Sequence, residues 1–516
     1  MNLAENLERS SRFHARAVAT SSGDEVVTYR ELGRQSREVA GFLTERGIGP
    51  GDHVVLLVPN VLEFAPLYYG ILHAGAVVVP LDPQLTADQF ARRLADAAPR
   101  LAFVWHTALS TSLEADDPHT DGPHSDSPGT SGTDIVVIAP GSLTALDGAG
   151  AAAELAPRAP SDLAAVVYTS GASGRPKGVR LTHGALLRSA DIVVQDLFEL
   201  SAGDVVLAAL PLFQSFGQTA ALHAAIRAGA SLALLDSLDA VDVLSAVRRR
   251  RVTALPAVPP MIGGILDLLD QPSPAPLDVV DVSSLRVCLS GGAPLAVETL
   301  LSFERTADCV VLEGYVLSEA PPMATCNRID RRRVGSVGIP LPGLDLRIVD
   351  ERGREVGDSE PGEIAVRGDI VTTGYTAGSA PDDPTADADL ARAGPDDWLR
   401  TGDIGRRDED GFVYLVDRTS DLIVHDGHTI YPREIEEALR EHPAVRDAAV
   451  LDRSPDIVAL ATLRPGAAVG RDELRTYLAA ALPSHQHPTS VRTVETLPTN
   501  AAGTILKRRI ALDPDP

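Results

Sequence analysis

Residues Tyr168 to His183 read Y-T-S-G-A-S-G-R-P-K-G-V-R-L-T-H. They follow an apolar run, Leu163 to Val167, of the kind that forms a buried strand. Ser170, Gly171, Ser173, Gly174 and Gly178 then crowd around one cation, Lys177. Glycines let backbone N–H groups turn toward an anion and hydroxyls add donors, so the loop suits a phosphate. The alternative is a plain surface turn between a strand and a helix. A Walker loop is excluded, because the G-x-x-x-x-G-K-[ST] spacing is absent. Of 46 basic residues only Lys177 and Lys507 are lysine, and the rest are arginine. A chain that writes arginine elsewhere and lysine here needs a compact ammonium at this place.

Outward from the loop, strand and helix signals alternate. Upstream, Glu25–Tyr29 is a strand, Tyr29–Arg46 an amphipathic helix, Val54–Val58 a strand, Glu63–Ala74 a helix and Ala76–Pro80 a strand. Thr86 is an N-cap for a helix through Ala98. Residues 106–134 interrupt the pattern with Ser, Thr, Asp, Gly, Pro and His and no periodicity, the composition of a disordered surface insertion. Downstream come Val205–Leu210 (strand), Gly217–Ala228 (helix), Leu232–Leu235 (strand) and Val241–Arg251 (helix). The expected fold is α/β: a large N-terminal domain of layered α/β subdomains, 1–419, and a small, mobile α+β C-terminal domain, 420–516. In the latter, Pro432–Glu441 and Asp472–Leu482 are helices, and Arg446–Leu451 and Ile457–Leu463 strands.

A length of 516 residues calls for more than one core. The net charge of −25 argues against nucleic acid or an anionic membrane as partner. Cys288, Cys309 and Cys326 fit no metal or redox spacing, are expected in the core, and suggest a reducing cytoplasm. The first residues carry no long apolar stretch, and no 18-residue apolar run occurs elsewhere, so neither a signal peptide nor a membrane span is expected.

The loop resembles the phosphate-binding loop of the adenylate-forming superfamily (acyl-CoA synthetases, peptide-synthetase adenylation domains, luciferases), usually [ST]-S-G-T-T-G-x-P-K-G-V. Further motifs follow in that family's order over nearly the whole chain. The resemblance implies that Thr169, Ser170, Gly171, Ser173, Gly174 and Lys177 hold nucleotide phosphate. Pro211–Gly217, P-L-F-Q-S-F-G, resembles the acyl-pocket segment and implies Phe213, Gln214 and Phe216 as lining. No acid occurs between Phe213 and Gln218, which argues against an α-amino acid, since a buried ammonium needs a counter-charge. Val287–Pro294 resembles the turn near adenine and implies Gly291, Gly292 and Ala293 there. Glu313–Glu319, E-G-Y-V-L-S-E, is similar to the family's G-Y-G-x-T-E segment. It implies that Glu313, Gly314 and Tyr315 lie at the adenine, with Tyr315 stacked on it. Ser318 would contact phosphate and Glu319 would hold magnesium. Val316 replaces a family glycine and should reshape the acyl pocket. L-R-T-G-D implies Asp403 on the ribose, and V-D-R-T-S-D implies Arg418 on ribose and phosphate with the hinge at Ser420. His425–Pro432, H-D-G-H-T-I-Y-P, is similar to the loop that lines the pantetheine tunnel, implying His425, Gly427, His428 and Tyr431 at CoA. The two histidines are candidate bases for the thiol.

The last motif departs from the family. Its pattern, P-x-[NT]-x-x-G-K-[IV]-x-[RK], is met by Pro498–Lys507 except that Thr504 stands in the lysine slot. In the family that lysine bridges carboxylate and α-phosphate during adenylation, then leaves the site as the C-terminal domain rotates for CoA attack. Its loss should cost about 10²–10³ in the first half-reaction and spare the second. The resemblance therefore implies an acyl-CoA ligase whose catalytic set is Lys177, Glu319, Arg418 and Thr504. It would move the acyl group of an acyl-adenylate to CoA, with a separate adenylating enzyme as supplier. The CoA ligases of actinobacterial pathways of the platensimycin type are similar in this respect. Two alternatives stay open: a complete ligase using ATP and Mg²⁺ on a free carboxylic acid, with Lys507 reaching in or Lys177 sufficing, and a binder of acyl-adenylate without turnover.

Overall fold

A computed structural model of the chain describes residues 1–108, 132–145, 153–169, 177–269, 281–376, 397–425, 428–453, 456–464, 466–499 and 505–510. The chain divides into two compact units. One is Met1–Asp345 with Val366–Leu399, and the other Leu346–Ala365 with Arg400–Pro516.

The first unit holds two sheets whose inner strands are near-continuous apolar runs, as parallel strands buried on both faces require. In the six-stranded sheet the order is Asp134–Ile138, Leu101–Trp105, His53–Leu57, Val77–Pro80, Leu163–Thr169, Lys177–Thr182. All its pairs are parallel except the last. That exception bears on the loop. Lys177–Thr182 returns antiparallel beside Leu163–Thr169, so 170–176 joins two strands of a hairpin and not a strand to a helix. The helix His183–Ile192 begins only after it, capped by Thr182 Oγ1 accepting from Ala185 N. Thr86 forms a full capping box with Gln89 on the helix Ala87–Ala97.

The nine-stranded sheet runs Ile339–Pro340, Thr325–Cys326, Val310–Tyr315, Val287–Ser290, Ala254–Ala257, Val205–Ala208, Ser231–Leu234, Val18–Ser22, Glu25–Thr28. Its centre is parallel and its margins antiparallel. The helix expected over Gly217–Ala228 is present, but Gln218–His223 within it is a π-helix. Tyr29, Phe64, Tyr68, Tyr69 and Phe103 are wholly buried, and the three cysteines are buried and free. Residues 109–131 of the expected insertion lie outside those described. At its ends His106 N donates to Ile138 O at 2.7 Å, and Thr133 Oγ1 to Pro99 O at 3.0 Å.

The second unit contains most of the four-stranded sheet Leu344–Val349, Gly362–Gly368, Leu399–Arg407, Val413–Arg418. A hairpin, Ile423–His425 with His428–Ile430, follows. Then the helices Pro432–Arg440 and Arg471–Ala481 accompany the sheet Val445–Arg453, Asp456–Leu463, Ser490–Thr493. Ile435, Leu439, Val450, Ala459, Leu474 and Leu478 form the core there. Among the described residues no helix is long and apolar enough to cross a membrane.

Candidate active site

In the first unit the loop end of the hairpin leads to three side chains in series. Thr169 and Lys177 are register partners there, on either side of 170–176. Lys177 Nζ lies 5.4 Å from the centroid of the Tyr375 ring, a cation over an aromatic face. The Tyr375 hydroxyl donates to Glu319 Oε1 at 2.8 Å. Backbone bonds fix this group: Tyr375 bridges Val179 antiparallel, and Thr372 N donates to Glu319 O at 2.6 Å. Lys177 and Glu319, far apart in sequence, are thus linked through Tyr375. Behind the hairpin, Tyr168 and Thr376 both donate to Asp96 Oδ2, Thr376 at 2.8 Å. Burial, then the bond to Asp96, pushes the Tyr168 phenol far up, so it stays a protonated donor.

The ends of neighbouring parallel strands supply the next group. Glu313, Gly314 and Tyr315 close Val310–Tyr315 and are buried, while Val316, Ser318 and Glu319 follow half-buried. Glu313 Oε1 accepts from Leu295 N at 3.2 Å, which ties the Gly291–Gly292–Ala293 turn to its neighbour strand. A Cβ on Gly291 would sit 2.4 Å from Val316 Cγ2 and 3.7 Å from Phe216 Cε1, so Gly291, Val316 and Phe216 converge. The missing Cβ is what admits the valine methyl. Asn60 holds the neighbouring segment. Its Nδ2 donates to Ala208 O and Leu210 O at 2.9 Å, and its Oδ1 accepts Leu212 N at 2.9 Å. Phe213 and Gln214 stand half-buried just beyond.

In the second unit Asp403 and Arg418 face each other across Leu399–Arg407 and Val413–Arg418, with Arg418 Nε donating to Asp403 Oδ1 at 3.2 Å. The turn before Asp403 takes Gly402 at φ +76°, a left-handed conformation that glycine adopts without strain. Glu363 locks it by accepting Gly402 N at 3.0 Å and the Arg400 guanidinium. Asp417 caps the helix Pro432–Arg440, accepting Arg433 N at 2.8 Å. Burial, above all, holds its carboxyl above the usual range. Ser420 lies in the 3₁₀ turn Thr419–Asp421, and His425 and His428 are register partners. Tyr431 is half-buried at the start of the helix, and burial, then Glu434, raises its phenol.

Lys507 Nζ lies 2.7 Å from Glu436 Oε1 and 3.8 Å from Asp421 Oδ2. Thr499 and Ile505 pair antiparallel on either side of 500–504. Ser170, Gly171, Ser173, Gly174, Gly427 and Thr504 lie outside the described residues. Tyr375, Asp96 and Asn60 were not singled out from sequence. Each acts on a segment remote in the chain, and T-T-G-Y-T carries no spacing signal of its own.

The parallel α/β unit followed by a small α+β unit is the architecture of adenylate-forming enzymes. The ATP-bound MatB of Rhodopseudomonas palustris matches it with a TM-score of 0.85 at 28% identity over 98% of each chain. Residues 7–376 match the AMP-binding enzyme family, and 434–504 its C-terminal domain. Identity is 30% to the long-chain-fatty-acid–CoA ligase of Bacillus subtilis, over 98% of this chain and 92% of that one. It is 31% to a feruloyl-CoA synthase of an Amycolatopsis species, over 97% of each. The chain belongs to the AMP-binding enzyme family, and within it to the acyl-CoA ligases.

Proposed function

We propose that this ligase transfers the acyl group of an acyl-adenylate to CoA, and that its own ATP-dependent adenylation is weak or lost. The observation that carries this is the disposition of its two lysines. Lys177 lies over the Tyr375 ring, Lys507 pairs with Glu436 at 2.7 Å, and Thr504 stands where the family has lysine. No third lysine exists to replace it. Drawing Lys507 away would leave Glu436, a buried carboxylate, without its cation.

The donor set suits an adenylate. Lys177 and Arg418 would neutralise phosphate, Thr169, Ser170, Gly171, Ser173, Gly174 and Ser318 would donate to it, and Asp403 would accept from the ribose hydroxyls. Gly291, Gly292, Ala293, Glu313, Gly314 and Tyr315 would bracket the adenine. Glu319 offers the hard oxygen that Mg²⁺ prefers, should ATP be the substrate. His425, Gly427, His428 and Tyr431 would line the approach of CoA, with Ser420 as hinge between 1–419 and 420–516. In the transfer the thiol sulfur bonds to the acyl carbon, the acyl–phosphate C–O bond breaks, and AMP leaves with that electron pair. The thiol proton goes to a base, for which His425 and His428 are the candidates. Because the acyl group arrives activated, positioning and electrostatics suffice for most of the rate. A separate adenylating enzyme would supply the substrate. A place in natural-product biosynthesis of the platensimycin type follows from the same motif loss and stands or falls with it.

Acyl-CoA formation is to be measured side by side from acid, ATP, Mg²⁺ and CoA, and from synthetic acyl-adenylate and CoA. Product from the adenylate alone is expected. Comparable product from ATP would overturn the proposal. It would leave the second reading, a complete ATP-dependent ligase of a non-amino-acid carboxylate, which near-full-length likeness to CoA ligases favours.

A further inference from the structure

The helix that begins after Gln214 buries a polar cluster that the chemistry above does not use. Tyr68, Tyr69, Gln218, Thr219 and His223 are all fully buried. One bond satisfies part of it: Tyr68 Oη donates to Gln218 Oε1 at 3.1 Å. Among the described residues, five atoms of this group have no hydrogen-bond partner: Tyr69 Oη, Gln218 Nε2, Thr219 Oγ1 and both ring nitrogens of His223. The His223 ring packs on both tyrosines, 5.3 Å from Tyr68 and 6.4 Å from Tyr69 between centroids. Buried polar atoms in native proteins are satisfied, so a concentration of unsatisfied ones marks the place of a bound polar group.

The chemistry of that group can be narrowed. Burial keeps His223 neutral, with its pKa pushed down to about 3, and pushes both tyrosine phenols up, so they stay protonated. No charged side chain bonds to the cluster among the described residues. A carboxylate or ammonium would be stranded there, whereas a hydroxyl or carbonyl oxygen would meet donors and acceptors. The position also matters. Gln218 N donates to Gln214 O at 3.0 Å, and the π-helical turn Gln218–His223 places His223 one turn further along the same face. Gln214, Gln218 and His223 therefore form one track leading from the segment beside Phe216 and Val316 toward Tyr69.

We infer that the acid carried by this ligase bears a neutral oxygen, a hydroxyl or a carbonyl, at its end remote from the carboxyl, and that Tyr69, Gln218 and His223 recognise it. This rests on the acyl-CoA ligase reading and on the acyl group entering beside Gln214. His223 lies nine positions beyond Gln214, at most roughly 13 Å of helix at the α-helical rise. The acid is therefore a long chain or a ring system of that reach and not a short acyl group. π-Helical segments occur often at functional sites, in keeping with this one turning Gln218 and His223 onto a common face. Internal water is the other source of such an oxygen.

The test uses ω-hydroxy fatty acids and their unsubstituted counterparts of roughly eight to fourteen carbons, the span set by that reach. Non-reactive sulfamoyl analogues of their adenylates are titrated calorimetrically into the full chain, and the reactive adenylates are followed to acyl-CoA. At least about tenfold tighter binding of one hydroxylated member over its partner is expected, falling to within about threefold in Tyr69→Phe and in Gln218→Leu. Tyr69→Phe removes a single oxygen, so it reports even where a change at His223 prevents folding. Equal affinities throughout the series would overturn the inference and assign the cluster to water. So would a preference that persists in both variants. Turnover to acyl-CoA decides separately whether the ligase reading stands.

Discussion

Lys507 places its ammonium 2.7 Å from Glu436 Oε1, and the same oxygen accepts Val450 N at 2.8 Å. The lysine therefore holds the segment 505–510 against the helix Pro432–Arg440. Three positions earlier stands Thr504, whose hydroxyl carries no charge, and the proposed loss of adenylation rests on that. Thr504→Lys is predicted to raise ATP-dependent acyl-CoA formation by about 10²–10³, while leaving thioester formation from supplied adenylate within about threefold. The measurement is initial rate under both conditions, with the unmodified chain alongside. An unchanged ATP-dependent rate would mean that something besides the lysine is missing. At this scale sequence order was informative and sequence distance was not. Lys177, Glu319, Asp403 and Arg418 stand out by motif. The tyrosine that joins Lys177 to Glu319, and the glutamate that occupies Lys507, are brought to them by the fold alone.

Between elements, one close constraint lies where the strands Val287–Ser290 and Val310–Tyr315 end side by side. Gly291 follows the first and Val316 the second, and there is room for the valine methyl only because Gly291 lacks a Cβ. Gly291→Ala is predicted to destabilise the protein by about 1–3 kcal/mol through overpacking. Adding Val316→Gly should recover most of that loss. A double-mutant cycle by urea unfolding checks this. Additive effects would show that the two positions do not share the space. Much of the element order was legible beforehand. Thr86 announces its helix because N-capping is a local rule, to which the structure adds Gln89 as the second half of a capping box, and the inner strands announce themselves as apolar runs. The return strand Lys177–Thr182 was missed although Val179 and Leu181 point inward around the exposed Arg180. Six residues are too few for that alternation to stand out beside a glycine-rich loop. The π-helical turn Gln218–His223 was invisible for a different reason. Every residue in it is buried, so no face alternates with solvent to reveal the period.

For the molecule as a whole, three buried histidines whose pKa burial lowers, His73, His183 and His223, set how it meets acid. His183 accepts Leu3 N on Nδ1 at 3.0 Å, which requires the neutral ring, and burial pushes its pKa down to about 4. His223 is pushed down to about 3 for the same reason. In the unfolded chain both would titrate near 6.5. Above that pH neither state binds the proton, and the groups contribute nothing to pH dependence. Below it the unfolded chain takes up protons that the folded one refuses, so stability falls as pH falls, by ~1.4 kcal/mol per pH unit for each histidine. Asp82 and Asp417 act in the opposite sense: burial raises their carboxyls, so the folded state binds protons first and gains stability as pH drops. Asp204, held below the usual range by its hydrogen bonds to Ser201, Arg286 and Thr253 against its burial, loses stability only below the ordinary carboxylate range. Between pH 6.5 and about 4.5 the raised carboxyls oppose the histidines, and the difference between the unmodified chain and a His223 variant isolates His223. Urea unfolding across that window is predicted to give a slope of stability on pH that is shallower in His223→Phe than in the unmodified chain by about one proton. Equal slopes would mean that His223 titrates normally in the folded protein. A charged ring would then be tolerated beside Tyr68 and Tyr69, and the neutral-oxygen recognition inferred for that cluster would fail with it.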